Sequence, residues 1–331
     1  MTIEDQARLD PAGETTASLA PVYDENTGRA HVMSSVTADA AIAAYWTEER
    51  IESAIPLETP TLSASDQQQI VNQSTQDAKN ARAEVVSTPS GPVVSLMGVQ
   101  PATVTNWSHT NGKVLFRNAS DGKNYICSGS ALNSGSKRLV ATAGHCVHGG
   151  KGKGWHQNWV FIPGYDKGSA PHGKFTAYTM RTMNDWINYG PEWRGFNSDV
   201  AFVTTNSSST GKGLVVNAVG GHGLITGGSE YAWSTDMFGY PGNLQSGQVM
   251  YACSGGTGKW SASGYSFSRI TGCGFGGGSS GGPWLKSYNN SSGQGLLKSV
   301  TSWNTDGVKW LGAPFFREDV RTMYTSANND W

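Results

Sequence analysis

Gly276-Gly277-Gly278-Ser279-Ser280-Gly281-Gly282-Pro283-Trp284 sets two serines among five glycines. Such a segment is too flexible for a core strand. Glycine lets the backbone turn tightly and bring its N–H groups close to a bound group. Acyl transfer asks for that arrangement: a nucleophilic oxygen, and two N–H donors about 2.7–3.1 Å from the oxyanion that develops. Ser280 supplies the oxygen, and the backbones of Gly278 and Ser280 are assigned as the donors. Gly-x-Ser-x-Gly alone is a weak signal in a chain with 43 glycines, so the reading turns on whether a base accompanies it.

Seven histidines are present, His31, His109, His145, His148, His156, His172 and His222, and none follows Ser280. The order in which serine comes first and histidine last, used by α/β-hydrolases, is therefore excluded. An order with aspartate before histidine finds only Asp121 upstream in the body, in an Asp-Gly turn. Two further strings complete the remaining order. Thr142-Ala143-Gly144-His145-Cys146 ends a strand, and Asn197-Ser198-Asp199-Val200-Ala201-Phe202 opens one with an acid. His145, Asp199 and Ser280 then form the order His, Asp, Ser, with Asp185 as the fallback acid. His148 reads as a solvent-side loop residue, and the other histidines carry no assigned role.

From Asn111 onward short β-rich runs alternate with Gly, Asn and Ser turns. Examples are Lys113–Arg117, Asn124–Ser128, Arg138–Thr142, Trp159–Ile162, Val200–Thr204 and Ser299–Trp303. This pattern indicates an all-β, antiparallel sandwich or barrel protein. One good helix is expected in the body, at the C-terminus, where Phe316, Val320, Met323 and Tyr324 fall at helical spacing. About 240 residues suffice for two packed barrels of about 110 residues each.

The 331 residues carry a formal charge of −1, with 15% charged residues and 12 Trp. Low charge with many aromatics argues against a disordered chain. No run of about 18 apolar residues is present to span a membrane, and the charge balance gives no footprint for nucleic acid. The near-zero charge is a cancellation. Residues 1–90 have 14 acids against 5 Lys+Arg, whereas residues 91–331 have 11 against 19. All four cysteines and eleven of the twelve tryptophans lie in the second part. The chain thus reads as an acidic leader and a Gly/Trp-rich body, and opposite charge would steer one onto the other.

In the leader, Ala38–Trp46 is a good helix former. Thr47 reads as the cap of a second short helix, Glu48–Glu52, stopped near Pro56. A third helical stretch is expected from Asp66 to about Arg82. Residues 86–104 hold three prolines and no charge, and read as a linker. The leader reads either as a small accessory domain or, more sharply, as a propeptide that folds on the body and is later cut. Met1-Thr2-Ile3-Glu4-Asp5 offers neither a basic start nor an apolar core, so no signal peptide is read within this sequence.

Cys127, Cys146, Cys253 and Cys273 allow three pairings. Locality favours Cys127–Cys146 and Cys253–Cys273, each closing a loop of about 20 residues and worth roughly 3 kcal/mol on the chain-entropy account. No Cys-x-x-Cys spacing suggests zinc, and two such bridges imply an oxidising compartment.

Taken together, T-A-G-H-C, the S-D-V-A-F strand and G-x-S-G-G-P, in this order at separations of 54 and 81 residues, resemble the chymotrypsin/trypsin-like serine peptidases, in a bacterial secreted, glutamyl-endopeptidase-like or actinobacterial flavour. Phe161–Tyr165 and Ala170–Gly173 add to that likeness. The resemblance covers roughly residues 110–331. It implies two antiparallel six-stranded β-barrels with a C-terminal helix and the catalytic triad in the cleft between them. His145 would be general base toward Ser280 and then acid toward the leaving amine, with Asp199 orienting the imidazole. The resemblance also supports the Cys127–Cys146 bridge, which would pin the His145 loop. Ser302-Trp303-Asn304 resembles the family's Ser-Trp-Gly strand, whose backbone would pair with an extended substrate. The Ser302 hydroxyl would in addition brace Asp199.

Several positions depart from the family. Ser279 stands where many members have an Asp that pairs with a new N-terminal amine, and no Ile-Val-Gly-Gly-like start occurs near residues 85–115. Steric blocking of the cleft by the leader is expected instead. Gly274, six residues before Ser280, replaces the acid of a trypsin pocket. Thr301 and Ser302 occupy the place of the His of glutamyl endopeptidases. Phe275 would line or narrow the pocket, and Lys309 or Asp306 would bias it toward acidic or basic groups. Gly274, Phe275, Thr301, Ser302, Trp303 and Asn304 are thus the expected substrate-binding residues, with a medium apolar or broad preference.

The resulting expectation is a secreted, extracellular serine endopeptidase made as a proprotein. It has residues 1–95 as leader and linker and 96–331 as peptidase domain, with barrels at about 110–210 and 211–331. Its partners would be polypeptide substrates and its own leader, as inhibitor or chaperone. It would act as a monomer, with no cofactor, metal, nucleic acid or membrane. The competing expectations are a triad-bearing but silent binding protein and a non-peptidase acyl hydrolase.

Overall fold

A computed structural model describes residues 13–62, 83–92, 108–208, 210–305 and 310–330. The helix expected over 66–82 and the linker beyond residue 92 lie outside the described residues, as do Asp306 and Lys309.

The first half of the body is a closed barrel of six strands: β1 (Asn111–Arg117), β2 (Asn124–Leu132), β3 (Leu139–Thr142), β4 (Gln157–Pro163), β5 (Phe175–Met183) and β6 (Ala201–Thr205). The ladder runs β4-β1-β2-β3-β6-β5 and closes between β5 and β4. β-branched and aromatic residues make up nearly half of these strands, which suits a pleated, packed surface. Val114, Leu115, Phe116, Ile126, Val140, Phe161, Phe175 and Phe202 are all buried in one cluster.

Among the described residues the second half carries nine strands: β7 (Gly223–Gly227), β8 (Ser234–Gly239), β9 (Tyr251–Gly256), β10 (Gly258–Ala262), β11 (Tyr265–Thr271), β12 (Pro283–Asn289), β13 (Gln294–Val300), β14 (Trp303–Thr305) and β15 (Trp310–Pro314). They pair as two sheets, β9-β8-β12-β13-β7 and β10-β11-β15-β14, rather than as one closed six-stranded ladder. The helix Glu318–Ala327 buries Val320, Met323 and Tyr324, as the spacing predicts. Three short helices, Asn184–Tyr189, Trp193–Phe196 and Val215–Val219, have no counterpart in the sequence reading. At four to six residues each they are too short to form alone. The first two are held by Trp186 and Phe196, which pack with Trp260, Phe267 and Trp303 of the second half.

The leader is not a separate body. Its helices Ser35–Tyr45 and Glu48–Glu52 fall where the sequence places them, and the Thr47 hydroxyl accepts from the Arg50 amide at 3.3 Å. Ala20, Val22, Ala38, Ile42, Trp46, Ile51 and Ala54 are buried in the same cluster as the barrel core. Full burial of each of the larger of these side chains is worth about 1.5–3 kcal/mol. By contrast, the described ion pairs between leader and body are Glu14–Arg181 at 3.7 Å and Glu84–Arg321, with Glu84 exposed and Arg321 half-buried. Exposed pairs contribute roughly 0–1 kcal/mol, so apolar burial, more than the opposed net charges, holds the leader.

Among the described residues four leader strands extend the body sheets. Glu14–Ala17 pairs antiparallel with β5, and Ile55–Pro56 pairs parallel with β2. Thr61–Leu62 pairs parallel with β14. Ala83–Ser87, at the start of the expected linker, is a strand antiparallel to β7.

Candidate active site

The register of the first barrel brings its acid to its histidine. β6 runs antiparallel to β3 with Ala201 opposite Thr142. Two residues beyond each, Asp199 and the Gly144–Cys146 turn therefore face each other. Gly144 is required here: a Cβ would lie 2.7 Å from Thr182 Oγ1 and 3.0 Å from Asp199 Oδ1. The His145 Nδ1–H donates to Asp199 Oδ2 at 2.7 Å, and the His145 amide donates to Oδ1 at 2.8 Å. Ser302 Oγ adds a third donor to Oδ2 at 2.6 Å. Asp199 is completely buried, and charge-assisted bonds of this kind are roughly twice as strong as neutral ones. Asp185, the fallback acid, is turned to Arg194 at 3.0 Å.

The turn before Asp199 is clamped from the second half. Arg317 donates to the Asn197 carbonyl at 2.9 Å and to Ser198 Oγ at 3.2 Å, and pairs with buried Asp319.

Ser280 sits where its loop docks on the first barrel. Its carbonyl accepts from the Ser128 amide of β2 at 2.7 Å. The Gly281 amide donates to the Thr301 carbonyl at 2.8 Å, and the Thr301 amide to the Gly282 carbonyl at 2.9 Å. Gly278 and Gly281 adopt φ of +88° and +80°, which side chains rarely follow. Ser279 Oγ donates to the Gly276 carbonyl at 2.7 Å, so the residue in the family's Asp position is satisfied within its own turn.

Both disulfides form as locality favours. Cys127–Cys146 joins β2 to the His145 turn, and Cys253–Cys273 lies in the second half. The neighbouring histidines differ from the sequence reading. His148 is buried, not solvent-side: its Nδ1 accepts from the Gly150 amide at 3.0 Å, and its carbonyl accepts from Trp186 Nε1 at 2.8 Å. Burial pushes its imidazole down to about 4. His156 lies beneath His145, with its Nε2 3.1 Å from the His145 carbonyl, and burial pushes it down to about 3.

Of the expected substrate-binding residues, Ser302 and Asn304 flank Trp303 at the edge of the second half. Trp303 is buried among Trp193, Trp260, Phe267 and Trp310. Thr301 Oγ1 accepts from Trp284 Nε1 at 3.0 Å. Phe275 is packed with Trp233, Met237, Ile270 and Trp284. Gly274, at φ +61°, accepts at its carbonyl from Asn243 Nδ2 at 2.9 Å.

Residues 57–60 lie against the serine loop and the Trp303 strand. The Leu57 carbonyl accepts from the Gly278 amide at 2.8 Å. Ser280 Oγ donates to Thr59 Oγ1 at 3.4 Å. The Pro60 carbonyl accepts from the Asn304 amide at 3.0 Å. His145 Nε2 is buried and makes no hydrogen bond among the described residues.

A closed β-barrel joined to a second β half is the chymotrypsin-like fold, and the chain resembles the serine peptidases of that fold. Among solved structures it is similar to a thermostable serine protease, AL20, from an extremophilic microorganism, at 29% identity and a TM-score of 0.60, over 68% of this chain and 99% of that one. It is similar to the protease Anisep from Arthrobacter nicotinovorans at 28% identity and 0.59, over 68% of this chain and 98% of that one. A Glu endopeptidase in complex with MPD shares the fold at 16% identity and 0.53, over 70% and 96% of the two chains. No protein-family model and no curated protein matches the chain.

Proposed function

We propose that the chain is the proform of a secreted serine endopeptidase that hydrolyses peptide bonds through an acyl-enzyme. Residues 1–95 act as leader and linker, and 96–331 as the peptidase domain. The extent of the similarity supports that division, because the two serine proteases match over nearly all of their own length and 68% of this one. The two disulfides support an oxidising, extracellular setting.

In the proposed cycle Ser280 Oγ attacks the scissile carbonyl carbon while its proton passes to His145 Nε2. The carbonyl oxygen becomes an oxyanion facing the Gly278 and Ser280 amides, and one such donor is worth about 2.7–4 kcal/mol in the transition state. The C–N bond then breaks, and the His145 proton goes to the departing amine. Water, deprotonated by His145, hydrolyses the Ser280 ester and returns the hydroxyl. Asp199 holds the Nδ1–H tautomer and stabilises the imidazolium without taking its proton. Substrate would lie along Ser302–Asn304. An acid-free Gly274 and an apolar surround at Phe275 favour medium apolar or broad preference.

The observation that carries the reading is the buried Asp199 carboxylate, held by His145 and Ser302, beside a serine loop pinned to the first barrel. Cleavage of a peptide library read by mass spectrometry, with wild type against Ser280→Ala, tests it. Loss on the order of 10⁶ in kcat is expected for residues acting as one unit. Retention of more than about a hundredth of the activity refutes the assignment. Turnover of esters but not amides favours an acyl hydrolase instead.

A further inference from the structure

Resting on that reading, we infer that Pro56–Leu62 is an inhibitory strand built into the chain and seated in the cleft in the polarity that Ser280 cannot cleave. The cleft therefore recognises an extended, proline-flanked peptide running parallel to Trp303–Thr305.

The segment makes backbone bonds to three separate parts of the site. Its N-terminal end lies on the first half: Ile55–Pro56 pairs parallel with β2, and the Leu57 amide donates to the Ile126 carbonyl at 2.9 Å. Its middle lies on the serine loop. The Gly278 amide, assigned as an oxyanion donor, is taken up by the Leu57 carbonyl. The fit is close, since a Cβ on Gly277 would lie 2.8 Å from that carbonyl oxygen and 3.1 Å from Glu58 Cα. Its C-terminal end lies on the second half, where Pro60 accepts from Asn304 and Thr61–Leu62 pairs parallel with β14. The two prolines fix φ near −65° and reduce what the chain loses on becoming ordered.

Polarity decides the outcome. Cleaving the bond whose carbonyl faces Gly278 would release the nitrogen of Glu58, and His145 must protonate that nitrogen. His145 stands on the first half, beside the Cys127–Cys146 bridge to β2. The run that begins at Glu58 leads away from β2 and onto β14. The nucleophile is also engaged elsewhere: Ser280 Oγ donates to the side-chain hydroxyl of Thr59, two residues past the seated carbonyl. The strand thus fills the oxyanion site and the substrate edge while offering no bond for turnover.

The test uses the full chain with a fluorophosphonate probe, the site of modification read by mass spectrometry. Wild type is compared with a chain whose residues 56–61 are replaced by Gly-Ser-Gly-Ser-Gly-Ser, and with that same chain carrying Ser280→Ala. At least tenfold faster modification of Ser280 in the replaced chain, and none with Ser280→Ala, is expected. Equal, rapid modification of Ser280 in both chains overturns the inhibitory strand and leaves the assignment of Ser280 standing. No modification of Ser280 in either overturns the underlying reading, and the inference with it. Prolonged incubation of the wild-type chain, followed by intact mass measurement, tests polarity without any variant. The Leu57–Glu58 bond is expected to survive, and a cut there refutes the reversed seating.

Discussion

Ser302 Oγ donates to Asp199 Oδ2 at 2.6 Å, so an acid of the first half is gripped by a hydroxyl of the second. The bond holds the carboxylate that orients His145. A hydrogen bond to a charged group is worth about 1.5–3 kcal/mol, a factor of about 10 to 100 if the whole of it is felt in the transition state. Ser302→Ala is expected to lower kcat by about that factor with little change in KM. Ser302→Thr, which keeps the hydroxyl, should restore most of it. A purely structural role would show instead as a fall in unfolding midpoint with kcat unchanged.

Stability is expected to fall as the solution is acidified below pH 6.5. His222 is fully buried between two fixed partners: its Nε2–H donates to Asn111 Oδ1 at 2.8 Å, and its Nδ1 accepts from the Gly295 amide at 3.2 Å. A proton on Nδ1 would face that amide. Burial pushes His222, like His156, down to about 3. Above pH 6.5 neither the folded nor the unfolded chain binds this proton. Between 6.5 and about 3 only the unfolded chain does, so stability is lost throughout that window as pH falls, by roughly 1–2 kcal/mol per pH unit for each such histidine. Urea midpoints at pH 7, 6, 5 and 4 check this, and a midpoint constant down to pH 4 contradicts it.

The glycines of the serine loop are not equivalent. An added Cβ on Gly281, at φ +80°, would overlap Thr142 Oγ1 and the Ser128 carbonyl, both in the barrel on which the loop docks. One on Gly274, at φ +61°, would meet nothing within 4 Å. Gly274→Ala should therefore cost about the 1–2 kcal/mol of a left-handed alanine. Gly281→Ala adds a backbone clash and should cost several kcal/mol more, or prevent soluble expression. Comparing the two midpoints in denaturant checks the ranking.

Much of this arrangement is legible in the sequence because it rests on local chemistry. The His145 turn needs Gly144, Asp199 opens its own strand, and both disulfides join cysteines about 20 residues apart. The Ser35–Tyr45 helix shows its alanine-rich helix formers, Glu48–Glu52 its Thr47 cap, and Glu318–Ala327 its apolar periodicity. What is not legible depends on edges supplied by distant strands. Pro56 reads as a helix stop, yet Ile55–Pro56 and Thr61–Leu62 become strands only because β2 and β14 offer partners. Ala83–Ser87 reads partly as linker until β7 pairs with it. His148 reads as exposed because the Trp155 and Trp186 rings that cover it come from elsewhere in the chain.

Trp46 should matter more to the silent state than any leader charge. It is buried to 1% exposure, and its indole Nε1–H donates to the Asn158 carbonyl at 2.6 Å. It closes the Ser35–Tyr45 helix over the barrel, nine residues before the chain reaches β2. Removing a buried tryptophan side chain costs about 3–5 kcal/mol, whereas the Glu84–Arg321 pair joins an exposed carboxylate to a half-buried arginine at the surface, worth about 1 kcal/mol or less. Trp46→Ala in the full chain is therefore expected to raise hydrogen exchange across residues 35–45 and to speed fluorophosphonate modification of Ser280. Glu84→Gln should change neither beyond about twofold. Raising salt from 0.05 to 0.5 M should also have little effect, because screening acts on exposed charges and not on buried rings. A leader loosened by salt or by Glu84→Gln as much as by Trp46→Ala would instead mean that the opposed charges of leader and body hold the complex.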